Sequence, residues 1–333
     1  MTLPDEPATI WIAIKVSELK LETVPCALGC APSDVPLFVG HDRLHDLPGH
    51  FTVVQCSHCG LARTSPRPTA TTIGAYYPAD YGPYKSTAID SDRSSDNGFK
   101  MRFVTFVKRF IDVKAHALPP QSVGKMLEIG CASGSFLHDM AIKGWEVEGI
   151  EFSPDAAETA RALGYRVDIG ALETIERPGA QFDLIVGWMV IEHLHDPVGS
   201  LRKLAGWIRP NGKLVISVPD AGAAQFRIFR SRWYDLHLPN HLFHFDVHSI
   251  AKVLKAAGWK VIKIQRHRNM ANLIASFGYL AQDKGWERLG DALAAFPERG
   301  GRIGAGLLYP ISLVMAWLGQ TGRMTVWAER LPE

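Results

Sequence analysis

From Gly124 to Gln265 the chain alternates short apolar runs with segments of helix length, and that alternation constrains the fold more than any other feature. KMLEI (125–129), EVEGIE (146–151), YRVDI (165–169), FDLIVGW (182–188), KLVISV (213–218) and WKVIKIQ (259–265) read as buried strands. Between them stand helix signals. Ser153-Pro154 is an N-cap followed by proline at the first helical position, with Gly164 as its stop. Asp196-Pro197 opens a helix with Leu201, Leu204 and Ile208 on one face, closed by Pro210-Asn211-Gly212. Asp246 caps a helix carrying Ile250, Val253 and Leu254, which Gly258 ends. RMTVWAE (323–329) reads as a last strand. Strands separated by helices of this length predict an α/β chain with a mostly parallel sheet covered on both faces.

Three segments fall outside the pattern. Residues 1–70 hold four of the five cysteines and form a candidate separate module. Residues 71–120 combine a polar, turn-rich linker or lid (78–98) with an amphipathic helix marked by Phe99, Phe103, Phe106 and Phe110. The remainder, 121–333, is the sheet domain, interrupted by an apolar helical insertion at 267–322.

Within the sheet domain, LEIGCASGSFL (127–137) carries the most chemistry. A strand ends in Glu128-Ile129-Gly130, and a turn of small residues, Cys131-Ala132-Ser133-Gly134, leads directly into a helix. Small residues let a ligand approach the backbone, and the free N–H groups of a helix start attract a carboxylate. A dinucleotide fingerprint would place glycine at 130, 132 and 135, whereas this chain has Gly130, Ala132 and Ser135, and no Gly-Lys-Ser/Thr follows for a phosphate loop. Twenty-one residues after Gly130 the next strand ends in Glu151, where a carboxylate can accept both hydroxyls of a ribose.

In this order and at this spacing, these features resemble the class I S-adenosylmethionine-dependent methyltransferases. The resemblance continues through FDLIVGWMVIEHLHDPVGSLRKLAGWIRPNGKLVISVPD (182–220) and covers about 124–266 plus the final strand. It implies a Rossmann-like seven-stranded sheet with helices on both faces, and S-adenosyl-L-methionine as cofactor. It further implies that Glu128, Gly130, Ala132 and Gly134 surround the methionine part of the cofactor. Glu151 would hold the ribose, Phe152 would pack beside the adenine, and Asp168, Ala171 and Leu172 would meet its far edge. Trp188 and Met189 would line the pocket. Ala132 departs from the glycine of many members.

An oxygen or carbon acceptor must lose a proton, which needs a base near the methyl group. Members of this class draw acceptor contacts from the ends of the fourth and fifth strands. Here those regions offer Glu192-His193-Leu194-His195 and RWYDLHLPNHLFHFD (232–246), and the candidate bases in order are His241, His244 and His193. The bland alternative for each is a hydrogen-bonded structural histidine.

Cys26 and Cys30, then Cys56 and Cys59, form two short knuckles that can bring four thiolates to one tetrahedral, structural zinc. A group of bacterial methyltransferases of polysaccharide and natural-product pathways resembles this arrangement, with a zinc-ribbon-like N-terminal module. Its pattern stands here as Cys56, Cys59, Gly60, Leu61, Arg63, Pro66, Tyr76-Tyr77-Pro78 and Asp80-Tyr81. The first pair is spaced Cys-x3-Cys rather than Cys-x2-Cys, which leaves His41, His45, His50 and His58 as substitute ligands. Tyr76, Tyr77, Tyr81 and Tyr84 are candidates for a lid over the cofactor.

The expected acceptor is a sugar or other small metabolite, lipid-linked in one version. Two competing readings are an RNA methyltransferase and a cofactor-binding scaffold without chemistry. Against RNA, 36 basic residues meet 34 acidic ones for a net charge of +2, and residues 1–70 contain only Lys15, Lys20, Arg43, Arg63 and Arg67. The amino-terminal sequence has no basic start before a long apolar run, so the expectation is a cytoplasmic chain. Residues 303–319 carry no charge and are read first as part of a helical cap that completes the substrate pocket or a dimer face. The second reading is peripheral contact with the inner face of a membrane.

Overall fold

The computed structural model describes residues 19–78, 118–268, 270–299 and 301–332. The expected lid residues Tyr81 and Tyr84, Asp80 of the cysteine-module pattern and the Phe99–Phe110 stripe lie outside them, as does most of the 78–98 linker. Thirteen strands are described, numbered here in chain order. β1 (Leu21–Glu22), β2 (Asp34–Gly40), β3 (Phe51–Cys56), β4 (Ala62–Thr64) and β5 (Arg67–Pro68) belong to the cysteine-bearing segment. The domain that follows contributes β6 (Lys125–Ile129), β7 (Glu146–Glu151), β8 (Arg166–Ile169), β9 (Phe182–Trp188), β10 (Ile208–Pro219), β11 (Phe243–His244), β12 (Trp259–Arg266) and β13 (Arg323–Arg330).

A seven-stranded sheet runs in the order β12-β13-β10-β9-β6-β7-β8. β8, β7, β6, β9 and β10 pair in parallel, and β13 enters antiparallel to both β10 and β12. A parallel sheet with one reversed strand inserted beside its edge is the class I methyltransferase arrangement that the resemblance implies. The expected Pro210-Asn211-Gly212 turn is absorbed into β10, whose pairing with β9 shifts register between Ile208 and Lys213.

Four helices cover the sheet, two on each face. α1 (Ser135–Ile142) and α2 (Pro154–Ala162) bury Phe136, Leu137, Met140, Ala157 and Ala160 against Met126, Leu184, Val186 and Val215. Successive strand residues point to opposite faces. Accordingly Leu127, Ile185, Leu214 and Ile216 meet α3 (Pro197–Trp207), and the same cluster takes in a later helix, Val247–Ala256, through Ile250, Val253 and Leu254. The caps form as the sequence predicts. Ser153 accepts from the Ala156 amide, Asp196 from that of Gly199, and Asp246 with Ser249 completes a capping box.

Between β10 and β11 lies α4 (Ala224–Phe229), which makes the Val247–Ala256 helix α5. The insertion before β13 is helical, as expected: α6 (Ala271–Asp283), α7 (Glu287–Ala294), α8 (Phe296–Arg299) and α9 (Gly301–Trp317). α6 and α7 approach closely where Gly278 faces Gly290. A Cβ at Gly278 would lie 2.4 Å from the Ala294 nitrogen. α9 leaves Ile311, Val314 and Trp317 exposed, and among the described residues no helix is long and apolar enough to cross a membrane.

The cysteine-bearing segment is joined into the larger domain by backbone pairing. Its four-stranded sheet has the order β11-β4-β3-β2, so its edge strand comes from residues 243–244, far along the chain. Phe51, Val53 and Tyr76 pack with Phe226, Phe229, Trp233 and Leu238 in one buried cluster. Leu204 in α3 is fully buried between the sheet and α5. Leu204→Ala is expected to cost about 2–5 kcal/mol through the cavity it leaves. Urea denaturation checks this, and a loss below about 1 kcal/mol would refute the packing described.

Candidate active site

The turn after β6 folds back tightly on itself. Gly130 (φ 67°), Ala132 (φ 46°) and Gly134 (φ 82°) all take left-handed backbone conformations. At Gly130 glycine is required twice over, because a Cβ would stand 2.6 Å from Val190 Cγ2. Ala132 adopts that conformation with a methyl group in place of the glycine of many family members.

Glu151, at the tip of β7, ties two loops together. Its Oε2 accepts from the Ala132 amide at 2.8 Å, and its Oε1 accepts from the Ser153 amide at 2.8 Å. Each carboxylate oxygen has a second lone pair, so both can still accept from a vicinal diol. Burial raises the Glu151 carboxyl above the ordinary range. Glu128 is buried more completely, its Oε2 has no partner among the described residues, and burial followed by the charge of Glu151 pushes it well up. A buried carboxyl oxygen without a partner is costly, and a ligand ammonium beside it would remove that cost.

The other residues expected to touch the cofactor stand at or just after the ends of β7, β8 and β9. Phe152 is half-buried, with its ring 6.1 Å from Tyr77. Trp188 packs edge-on to Phe136 at 5.2 Å, and Met189 has φ 58°, its amide donating to Ser217 Oγ at 3.2 Å. Leu172 is buried in the core, and Ala171 is half-buried. Asp168 is different: its Oδ2 accepts from Arg177 at 2.6 Å, and Arg177 is also paired with buried Glu148. The carboxylate of Asp168 is thus held by a cation.

Across Phe152 and Tyr77 lies a cluster of imidazoles. The Tyr77 hydroxyl is 2.9 Å from His193 Nδ1. The His193 and His241 rings meet edge-to-face at 4.6 Å, and His237 stacks on His241 at 4.8 Å. His241 Nδ1–H donates to the Asp235 carbonyl at 2.8 Å, which leaves Nε2 as its lone-pair nitrogen. Glu192 is fully buried, and neither of its carboxylate oxygens has a partner among the described residues. Burial pushes Glu192 up to about 8 and pulls His193 and His237 down to about 3, with His241 also well below the usual histidine value. Glu192, His193 and His241 offer ligand atoms within 4.8 Å of one another, a set that also fits a divalent ion.

The structure therefore gathers two of the three expected bases, His193 and His241, and adds Glu192 and His237. His244 stands apart in β11. The single Thr64 hydroxyl proton goes to the His241 carbonyl at 2.8 Å, so His244 Nε2 donates to Thr64 Oγ1 at 3.2 Å. A buried lattice of Asp235 with Asn272 and Arg323 borders the cluster, and no sequence signal marked it.

The four cysteines also converge. Their sulfurs lie within 4.8 Å of one another, with Cys26 Sγ and Cys59 Sγ 3.4 Å apart. Tetrahedral zinc with bonds of about 2.3 Å requires sulfur–sulfur separations of roughly 3.8 Å. The set fits, and the Cys-x3-Cys gap does not keep Cys30 out of it. The knuckle turns close through the Gly29 amide on the Cys26 carbonyl at 2.8 Å and the Gly60 amide on the Cys56 carbonyl at 2.9 Å.

A family model described as a methyltransferase domain matches residues 103–264. Over those residues the chain is similar to methyltransferase domains. Among curated relatives, the ubiquinone biosynthesis O-methyltransferase of Xanthomonas euvesicatoria pv. vesicatoria is 30% identical over 145 residues, covering 40% of this chain and 59% of that protein. That of Xanthomonas campestris pv. campestris strain B100 is 29% identical over 112 residues, covering 31% and 46%. The chain thus spans about six tenths or less of the length of the curated relatives it matches. A solved S-adenosylmethionine-dependent methyltransferase of Mesorhizobium loti aligns over 67% of this chain and 98% of its own, at 16% identity and a TM-score of 0.45.

In this domain the buried groups give opposite pH responses. Each histidine held neutral contributes stability that is present above about pH 6.5 and lost as pH falls toward its folded value near 3. Glu192, raised to about 8, contributes stability below its ordinary value that is lost as pH rises from about 4.5 to 8. Glu192→Gln removes only the second effect. The stability difference between Glu192→Gln and the unsubstituted protein is expected to grow in the variant's favour, by on the order of a few kcal/mol, between pH 5 and 8. Chemical denaturation across that range checks it, and a pH-independent difference would refute a buried neutral Glu192.

Proposed function

We propose that the protein transfers the methyl group of S-adenosylmethionine to an oxygen of a small hydroxylated metabolite. The observation that carries this reading is the neutral imidazole cluster of His193, His237 and His241, linked to the cofactor turn through Tyr77 and Phe152. An amine with a free lone pair needs no proton removed before attack, whereas a hydroxyl does. The relatives' O-methyltransferase names favour oxygen over carbon as acceptor. A sugar is a second acceptor class for the same cluster, supported by the likeness of the cysteine pattern to polysaccharide-pathway enzymes.

S-adenosylmethionine, when bound, supplies an electrophilic methyl carbon on a sulfonium. The rest falls to this chain's residues. Glu151 would accept the ribose hydroxyls, and Glu128, whose Oε2 has no partner among the described residues, would meet the cofactor ammonium. Burial keeps the imidazoles uncharged at neutral pH, so each retains one lone-pair nitrogen; a bound acceptor hydroxyl would have to bring the charge that makes proton transfer to such a nitrogen favourable. His241 has that lone pair at Nε2, fixed by the bond from its Nδ1 to Asp235. Much of the remaining catalysis is positioning. The four cysteines hold a structural zinc in this reading, with no open position for chemistry.

Titration calorimetry with S-adenosylmethionine tests the cofactor half. Glu151→Ala is expected to weaken binding at least tenfold, about 1.4 kcal/mol or more, and unchanged affinity would overturn the ribose assignment. For the acceptor half, release of S-adenosylhomocysteine is measured against a panel of phenols, sugars and sugar nucleotides. His193→Ala is expected to lower kcat by about 10²–10⁴ with cofactor affinity retained. Full turnover in that variant would remove His193 from the reaction.

A further inference from the structure

The cysteine module and the acceptor-side histidines are connected by an unbroken run of short contacts. The knuckle of Cys56 and Cys59 passes directly into β4, the Cys56 amide donating to the Leu61 carbonyl at 3.0 Å. β4 then pairs with β11, Arg63 opposite Phe243 and Ala62 opposite His244. At its end the Thr64 amide donates to the Leu242 carbonyl at 2.9 Å, and the Leu242 amide donates to the Glu192 carbonyl at 2.8 Å. The fully buried Thr64 hydroxyl donates to the His241 carbonyl and accepts from His244. Two more bonds brace the joint: Lys252 Nζ to the Cys59 carbonyl and Asn240 Nδ2 to the Tyr76 carbonyl, both at 2.8 Å.

The cofactor turn is held differently. Gly130 and Cys131 donate to the Ile150 carbonyl, and Ala132 and Ser153 donate to Glu151, so its bonds stay within residues 130–153. In their backbone hydrogen bonds the two halves of the active site therefore hang on different supports, and Tyr77, packed on Phe152 and bonded to His193, is a side-chain contact that touches both.

We infer that Thr64 is a positioning residue for His241 and His244, and that the cysteine cluster, through β4, sets the geometry of the 240–246 loop without setting cofactor affinity. The word acceptor for that loop rests on the function proposed above, while the mechanical coupling does not. A module built this way is an internal brace. A separate nucleic-acid-binding appendage would have no need to donate a strand partner and a buried hydroxyl to the histidine loop. The coupling also gives the chain a metal-dependent control that acts on one substrate and spares the other. Withdrawing the ion from the cysteines would loosen the base-bearing loop while the nucleotide site stays formed.

The test uses the full chain in four forms: zinc-loaded, zinc withdrawn with a chelator, Thr64→Val and Thr64→Ser. Hydrogen exchange reads the amides of 241–245, calorimetry reads affinity for S-adenosylhomocysteine, and nitrogen-edited NMR reads the His244 ring proton. Zinc withdrawal and Thr64→Val are expected to speed exchange across 241–245 at least tenfold and to remove the protected His244 Nε2–H signal. S-adenosylhomocysteine affinity is expected to stay within threefold. Thr64→Ser, which keeps the hydroxyl and loses a methyl group, is expected to match the unsubstituted protein in exchange and in the ring signal. Unchanged exchange at 241–245 in either the chelated protein or Thr64→Val would overturn the coupling. So would a fall in S-adenosylhomocysteine affinity in step with the exchange, which would mean general unfolding, or Thr64→Ser behaving like Thr64→Val. Failure of the zinc-loaded protein to bind S-adenosylhomocysteine would sink the proposed function, and the exchange and ring signals would still decide the coupling.

Discussion

The pairing of β4 with β11 joins a cysteine-rich segment to a methyltransferase sheet by only two residues on the distant side, Phe243 and His244. That short ladder has consequences at both ends. It gives β4, three residues long, a partner on each edge, so that its buried polar backbone is satisfied. It also fixes the loop that carries His237 and His241 against β9, because Leu242 bonds Thr64 on one side and Glu192 on the other. Arg63 and Arg67 reinforce the same seam, one held by Asp34 and the Val24 carbonyl, the other by Glu22 and the His195 carbonyl. A parallel sheet alone would leave the base-bearing loop as an exposed crossover.

Electrostatically, the site keeps charge out of its interior until a ligand brings it in. Glu128, Glu151 and Glu192 are all raised, and His193, His237 and His241 are all lowered, each chiefly because burial disfavours its charged form. A bound S-adenosylmethionine would bring an ammonium and a sulfonium, and Glu128 Oε2, which has no partner among the described residues, is a candidate to meet that charge. Burial also keeps the histidine lone pairs available at neutral pH. By contrast Glu148 keeps its charge, paired with Lys125 and Arg177 at the opposite, structural end of β7.

Much of this was legible in the residues themselves. KMLEI and EVEGIE mark β6 and β7 to the residue, and the Ser153, Asp196 and Asp246 caps form as written. The turn at Gly130–Gly134 and the acid at Glu151 are also local features, since a strand tip, a small-residue turn and the next strand lie within 25 residues. The insertion reads as helical from its apolar runs, although its packing through Gly278 and Gly290 does not. Cys30 was the hardest ligand to place from spacing, and it joins its three partners despite the longer gap.

The sequence by itself determined the α/β alternation, the cofactor turn and the two cysteine knuckles. Each depends on periodicity, capping and backbone conformations set by neighbours along the chain. Tertiary structure alone decided which histidines act together. Tyr77 meets His193 across 116 residues, Thr64 meets His241 across 177, and Arg323 meets Asp235 across 88. No local pattern encodes such pairs. They exist because the sheet order and the β4–β11 pairing bring their backbones together, and only then does the chemistry of one side chain define that of another. His244 shows the difference, being three residues from His241 in sequence yet assigned to the brace.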